Sequence, residues 1–164
     1  MSTITVYKFD TPDGAEKMLD LVKELTKAQL ITLEDAATVS WEPGKKKPKT
    51  RQLADLTGAG AVSGAFWGML FGLIFFVPFF GMAVGAAMGA LSGKFADYGI
   101  DDSFIKSVSE KVTEGTSALF LLTSKVVLDK VTEAVKEKDW QFELISSNLT
   151  KEQEAKLQED FGVE

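Results

Sequence analysis

From Gly58 to Gly93 the chain carries no charged side chain, and glycine recurs every fourth residue in two ladders: Gly60, Gly64, Gly68, Gly72 and Gly81, Gly85, Gly89, Gly93. Four residues advance a helix by about 400°, so each ladder stays near one helix face. A glycine inside a helix costs roughly 1 kcal/mol against alanine. Close backbone approach offsets that cost, because a bare Cα admits a neighbour that any Cβ would hold away. Bulky residues take the opposite faces: Val62, Phe66, Met69, Leu70 and Leu73 in the first arm, Val84, Met88, Leu91 and Phe95 in the second. The pattern predicts a helical hairpin over 57–76 and 79–96, with Pro78 at the turn, where its missing N–H costs nothing. The eight ladder glycines are the expected helix-packing and oligomerisation residues, their faces lying against each other or against neighbouring copies, and the large apolar faces are expected to turn outward.

Outward bulk needs an apolar environment. Each arm has about 18 uncharged residues, about 27 Å of helix, against roughly 30 Å of bilayer hydrocarbon. The expectation is a hairpin that enters a membrane, with Phe75, Phe76, Phe79 and Phe80 at an exposed tip and Trp67 facing lipid. The alternative is a helical pair buried within a soluble assembly.

The remaining composition narrows the chemistry. A formal net charge of −6 disfavours general nucleic-acid binding. The chain has no cysteine and no histidine, which removes disulfides, thiol chemistry, His-activated nucleophiles and the commonest transition-metal ligand. No catalytic residue, metal or cofactor is expected. The opening Met1-Ser2-Thr3-Ile4-Thr5-Val6 lacks a basic leader and reads directly as a strand, so the chain is expected to stay in the cytoplasm.

Outside the charge-free stretch the patterns alternate between strand and helix. Ile4 and Val6 share one face of a strand, and Thr5, Tyr7 and Phe9 the other. A helix over about 13–28 places Ala15, Met18, Leu19, Val22 and Leu25 on one stripe. A strand is clearest at Asp35–Glu42, with Ala37, Val39 and Trp41 on one face, and Thr50–Leu53 pairs back on it. A helix over about 102–112 follows, then the apolar strand Ser117–Thr123, suited to a central position. A helix over about 127–137 and the strand Trp140–Ser146 come next. Thr150-Lys151-Glu152-Gln153 has capping-box spacing, so a last helix begins at Lys151.

With the hairpin set aside, the order is β-α-β followed by β-α-β, the ferredoxin-like split βαβ arrangement. The fold expected is therefore α+β: residues 1–56 as the first half of a ferredoxin-like domain, 57–96 as an inserted glycine-zipper hairpin, and 97–164 as the second half with a C-terminal helix. The hairpin leaves and returns at the same edge, which puts both tails on one side of any membrane.

Each candidate site has a plain structural explanation beside it. Lys45, Lys46, Lys47, Lys49 and Arg51 form a solvated turn or contact anionic lipid headgroups, at about 1 kcal/mol per basic residue near a membrane surface. Asp97, Asp101 and Asp102 offer oxygens to a hard cation, but helix N-capping explains them more simply. Tyr98 is expected to anchor the hairpin base at an interface. Glu34 with Asp35, and Asp13 with Glu16, need only turn and first-turn roles. Trp41 and Trp140 read as packing residues.

Leu56-Thr57-Gly58-Ala59-Gly60-Ala61, the two ladders, Asp97-Tyr98-Gly99-Ile100-Asp101-Asp102-Ser103-Phe104-Ile105, Ser117-Ala118-Leu119-Phe120 and the Leu149–Leu157 tail carry a resemblance over nearly the whole chain. The sequence resembles the bacterial glycine-zipper proteins of domain-of-unknown-function family 1269, labelled predicted membrane proteins. That resemblance implies fold and membrane association, and by analogy alone a link to envelope stress; it implies no activity. The expected protein is a non-enzymatic homo-oligomer on the cytoplasmic face of a bacterial inner membrane, both termini cytoplasmic. Its partners would be its own copies and membrane lipids. A pore, a soluble particle or filament with mutually buried hairpins, and a small-ligand sensor are the alternatives.

Overall fold

A computed structural model of the chain describes residues 2–52, 64–76 and 93–162. Five strands form one sheet: β1 (Ser2–Phe9), β2 (Asp35–Ser40), β3 (Lys49–Gln52), β4 (Ser117–Ser124) and β5 (Glu143–Leu149). Their order is β3-β2-β4-β1-β5, and every neighbouring pair is antiparallel. The helices are α1 (Gly14–Lys27), α2 (Gly64–Phe71), continued by a π-helical turn over Gly72–Phe76, α3 (Asp102–Lys111), α4 (Lys125–Glu137) and α5 (Lys151–Phe161). Residues 93–97 add a helical turn. The molecule is thus α+β, and the apolar Ser-Ala-Leu-Phe-Leu-Leu-Thr run occupies the central strand, as its composition predicts.

Period-two alternation splits the sheet into two apolar faces. On one, Tyr7, Phe9, Leu119 and Leu121 meet Met18, Leu19 and Val22 of α1 and Val131 and Val135 of α4. On the other, Ile4, Val6, Val39, Phe120 and Leu122 meet Phe66, Trp67, Leu70 and Phe71 of α2, Leu73, Ile74 and Phe75 of the π turn, and Phe104 and Val108 of α3. Leu157 and Phe161 of α5 join this second cluster. The outcome is a sheet covered by helices on both sides.

Helix ends follow their side chains. Asp101 accepts from Phe104 N at 2.9 Å and caps α3, the role expected of it. Ser124 caps α4, which begins two residues earlier than the apolar spacing predicts because β4 runs straight into it. Thr150 and Gln153 form the reciprocal capping box of α5.

Three expectations need correction. The last strand is not Trp140–Ser146 but Glu143–Leu149, because pairing with β1 sets the register from Lys8↔Glu143 to Ser2↔Leu149. Trp140 and Phe142 instead pack, partly buried, against the cluster beneath α1 and α4. The outward orientation of the first arm is reversed: Phe66, Leu70 and Leu73 are buried on the sheet, and of that arm's described bulky residues only Met69 is exposed, at 41 %. Trp67 and Phe75 are buried too, so neither faces lipid nor stands at an exposed tip. Sheet burial satisfies these side chains at about 1.5–3 kcal/mol each, without a second solvent. The expected helix also changes character at Gly72, where a wider turn carries the consecutive residues Leu73, Ile74 and Phe75 into the core. Residues 57–63 and 77–92 of the expected hairpin, with Pro78 at its turn, lie outside the described residues. Among those described, no helix is long and apolar enough to cross a membrane.

Candidate functional site

Two surfaces of the described chain present chemistry to the outside, and both belong to features legible in the sequence. The first is the outward face of α2. Because Phe66, Trp67, Leu70 and Phe71 face the sheet, Gly64, Ala65, Gly68 and Met69 face outward. A Cβ built on Gly68, Gly72 or Gly93 meets no atom within 4 Å among the described residues. One built on Gly64 meets only Gln52 Oε1, at 3.2 Å. Packing among the described residues therefore does not require glycine at Gly68, Gly72 or Gly93. Gly60, Gly81, Gly85 and Gly89 lie outside the described residues.

The second surface is the turn between β2 and β3. Lys45, Lys46, Lys47 and Lys49 are exposed around the buried Pro48. Together with Ser40 and Glu42 they line a cavity of about 460 Å³. The turn is tied down at several points. Trp41 Nε1 donates to Lys45 O at 2.9 Å, Lys45 N donates to Glu42 O at 3.2 Å, and Gly44 N donates to the Glu114 carboxylate. Gly44 has φ +84°, a left-handed conformation that glycine adopts without strain. Arg51 does not join the four lysines: it pairs with Glu16 of α1 at 3.3 Å, where Glu16, Thr38, Ser40, Lys49 and Arg51 border a separate small cleft.

These two surfaces are connected. Gly64 lies beside Gln52, at the far end of β3 from the lysines. The Phe75 ring, at the end of the π turn, meets Trp41 edge-on with centroids 6.3 Å apart. The helix thus runs back along the sheet toward the lysine turn.

The remaining sequence candidates have structural roles. Tyr98 is buried rather than interfacial, and donates to the Asp160 carboxylate of α5. Burial pushes its phenol well above the usual range, with the Asp160 bond and charge adding to the effect. Asp97 is exposed, and no group of three potential metal-binding residues occurs among the described residues. Asp35 is fully buried, its carboxylate accepting from Ala36 N at 2.8 Å and from Gln52 at 3.3 Å. Asp13 is held below the usual carboxylate range by the Thr11 side chain and by Lys17, 3.5 Å away.

One arrangement escaped the sequence reading. The Ser2 hydroxyl lies 2.9 Å and 3.0 Å from the two Glu34 oxygens and 2.7 Å from Glu154. Burial raises the Glu34 carboxyl; the Ser2 bond opposes this and Glu154 reinforces it. The three residues are 32 and 152 positions apart, and no spacing rule relates them. On the opposite end of the sheet, Phe9, Thr11, Lys17, Asp139 and Trp140 line a cavity of about 400 Å³.

One family model matches the chain, over residues 61–162: Protein of unknown function (DUF1269). No curated protein and no solved structure matches it.

Proposed function

Starting from a chain that belongs to the DUF1269 family, we propose that it is a self-assembling, membrane-associated structural protein whose copies pack through the glycine face of α2. The observation that carries this reading is that no described atom lies within 4 Å of a Cβ built on Gly68 or Gly72. Glycines that cost helix stability, and that packing among the described residues does not require, find their compensation in the close approach of another backbone. Membrane association rests on the charge-free run, which continues past Phe76 to Gly93. The strand order β2-β4-β1-β5, with α1 and α4 on one face, supports reading the sheet as a ferredoxin-like domain and residues 57–96 as its glycine-zipper insertion. The reading is non-enzymatic, in line with a sequence that has neither histidine nor cysteine.

A second reading has its own support. The burial of Phe66, Trp67, Leu70 and Phe71 on the sheet removes the need for lipid around that arm, and favours a self-assembled particle that needs no bilayer.

Membrane fractionation of the full chain with an alkaline carbonate wash, followed by sizing in mild detergent, separates the two. Retention in the pellet as a large particle supports the first, and release as a large particle supports the second. Gly68→Leu tests assembly itself. No described atom lies within 4 Å of a Cβ at Gly68, so the packing on the sheet is retained while the oligomer mass falls. An unchanged mass would remove the glycine face from the interface.

A further inference from the structure

We infer that the lysine turn between β2 and β3 is a binding site for a phosphate-bearing ligand, either a phospholipid headgroup or a free oligophosphate. Three independent observations converge on it. Lys45, Lys46, Lys47 and Lys49 concentrate positive charge in a chain of net charge −6. None of the four forms an ion pair among the described residues, so their charges are available to a ligand. The same four side chains line a cavity of about 460 Å³, inside the size range of small-ligand sites. Glu42 is the one carboxylate on its wall, so four cations stand against one anion, a net of +3.

The turn is also held in place before any ligand arrives. The Trp41 indole, the Glu114 carboxylate and the buried Pro48 fix its backbone, so a ligand has only lysine side chains to order. Lysine ammonium groups are compact point charges that suit the several oxygens of a phosphate. Long nucleic acid is the wrong partner, because the rest of the chain is acidic and repels an extended polyanion. The location matters as well. Trp41 both clamps Lys45 and meets Phe75, so the π turn lies at the lysine end of the sheet.

The site stands apart from the assembly reading and is tested without it. Full-length protein in mild detergent is titrated calorimetrically with sodium tripolyphosphate at fixed ionic strength. In parallel it is floated with vesicles of phosphatidylcholine, with and without phosphatidylglycerol. Two variants with the same change in net charge are compared: Lys45→Gln/Lys46→Gln/Lys47→Gln/Lys49→Gln, and Lys125→Gln/Lys136→Gln/Lys138→Gln/Lys151→Gln. At roughly fivefold per basic residue, the turn variant loses about a hundredfold or more in affinity, and the control variant stays within about threefold. Loss in the tripolyphosphate arm assigns a free ligand; loss only of the phosphatidylglycerol-dependent gain assigns the headgroup. No binding in either arm, or equal loss in both variants, overturns the site. Carbonate-resistant retention through the apolar stretch is unchanged in the turn variant, so failure here is distinct from failure of membrane association.

Discussion

The indole of Trp67 stands edge-on to the ring of Phe120, centroids 6.3 Å apart, and so seats the charge-free segment on the central strand of the sheet. Phe71 meets the same ring at 5.1 Å, and Phe66 reaches Phe161 of the last helix at 5.7 Å. The first arm of the glycine-rich stretch is thus part of the domain core. Leu70, fully buried among these rings, gives the test. Leu70→Ala should cost about 2–5 kcal/mol through lost burial and the cavity left behind. The measurement is urea denaturation of the full chain in mild detergent, followed by far-ultraviolet circular dichroism. A loss below about 1 kcal/mol is what a lipid-facing leucine would give, and would contradict the packing.

The turn after residues 93–97 depends on a single backbone conformation. Gly99 has φ +92°, and a Cβ there would come within 3.0 Å of Asn148 O and 2.8 Å of Gln153 Oε1. The first contact is backbone of β5 and cannot swing away. Gly99→Ala should therefore destabilise by about 1–3 kcal/mol through strain at a left-handed position. Gly115 is the control: its φ is +87°, but its Cβ would meet open space. Gly115→Ala then reports the backbone term alone and should cost less. Equal losses at the two positions would show that contact with β5 contributes nothing.

What was legible in the sequence follows from how local each cause is. Alternation placed Ile4 and Val6 opposite Tyr7 and Phe9, and the two sets do line opposite faces. The Asp101 cap and the Thr150–Gln153 box are contacts over three residues, visible in the sequence itself. Helical spacing also correctly opposed the glycines to Phe66, Leu70 and Leu73. It could not say which side meets the protein, because a hydrophobic face is equally satisfied by lipid and by a sheet. Deciding that takes long-range pairs such as Trp67 with Phe120. Of the candidate sites, the lysine turn was visible as composition. Its clamping by Trp41 and Glu114, and the diversion of Arg51 to Glu16, depend on tertiary structure.

The Ser2–Glu34–Glu154 contact makes stability depend on acid. The Glu34 carboxyl is raised from its ordinary value of 4.5, chiefly by burial. A raised acid favours its protonated form in the folded state, so this contribution is fully present below pH 4.5 and is lost as pH rises through the folded value. Glu34→Gln removes the charge and keeps a hydrogen-bonding group for Ser2. The variant should be more stable than the parent at neutral pH, and the difference should shrink toward pH 4. Thermal denaturation across that range checks it. A variant less stable than the parent at pH 7 would show that the Glu34 charge is favourable where it stands.

The chain has two tyrosines, and both are held neutral by their surroundings. Tyr7 is buried beneath α4, its hydroxyl 2.7 Å from Thr132 Oγ1; burial pushes its phenol up to about 12, against the opposing pull of the Thr132 bond. Tyr98 is pushed up by burial and then by Asp160, to which it donates. Both raised values mean stability fully present below pH 10 and lost as pH climbs through the folded values. A phenolate absorbance titration of the native chain should therefore show no transition at pH 10, and the signal should appear together with loss of circular dichroism at higher pH. Tyr98→Phe keeps the ring that packs on Phe95 and Phe161 but removes the hydroxyl. It should cost about 1–3 kcal/mol at neutral pH, the range for a hydrogen bond to a charged group. It should also make the alkaline loss of stability shallower, leaving only the share due to Tyr7. One phenolate per chain ionising at pH 10 with the fold intact would place a tyrosine in contact with water; its persistence in Tyr98→Phe would assign it to Tyr7, and its loss there would break the link between Tyr98 and the last helix.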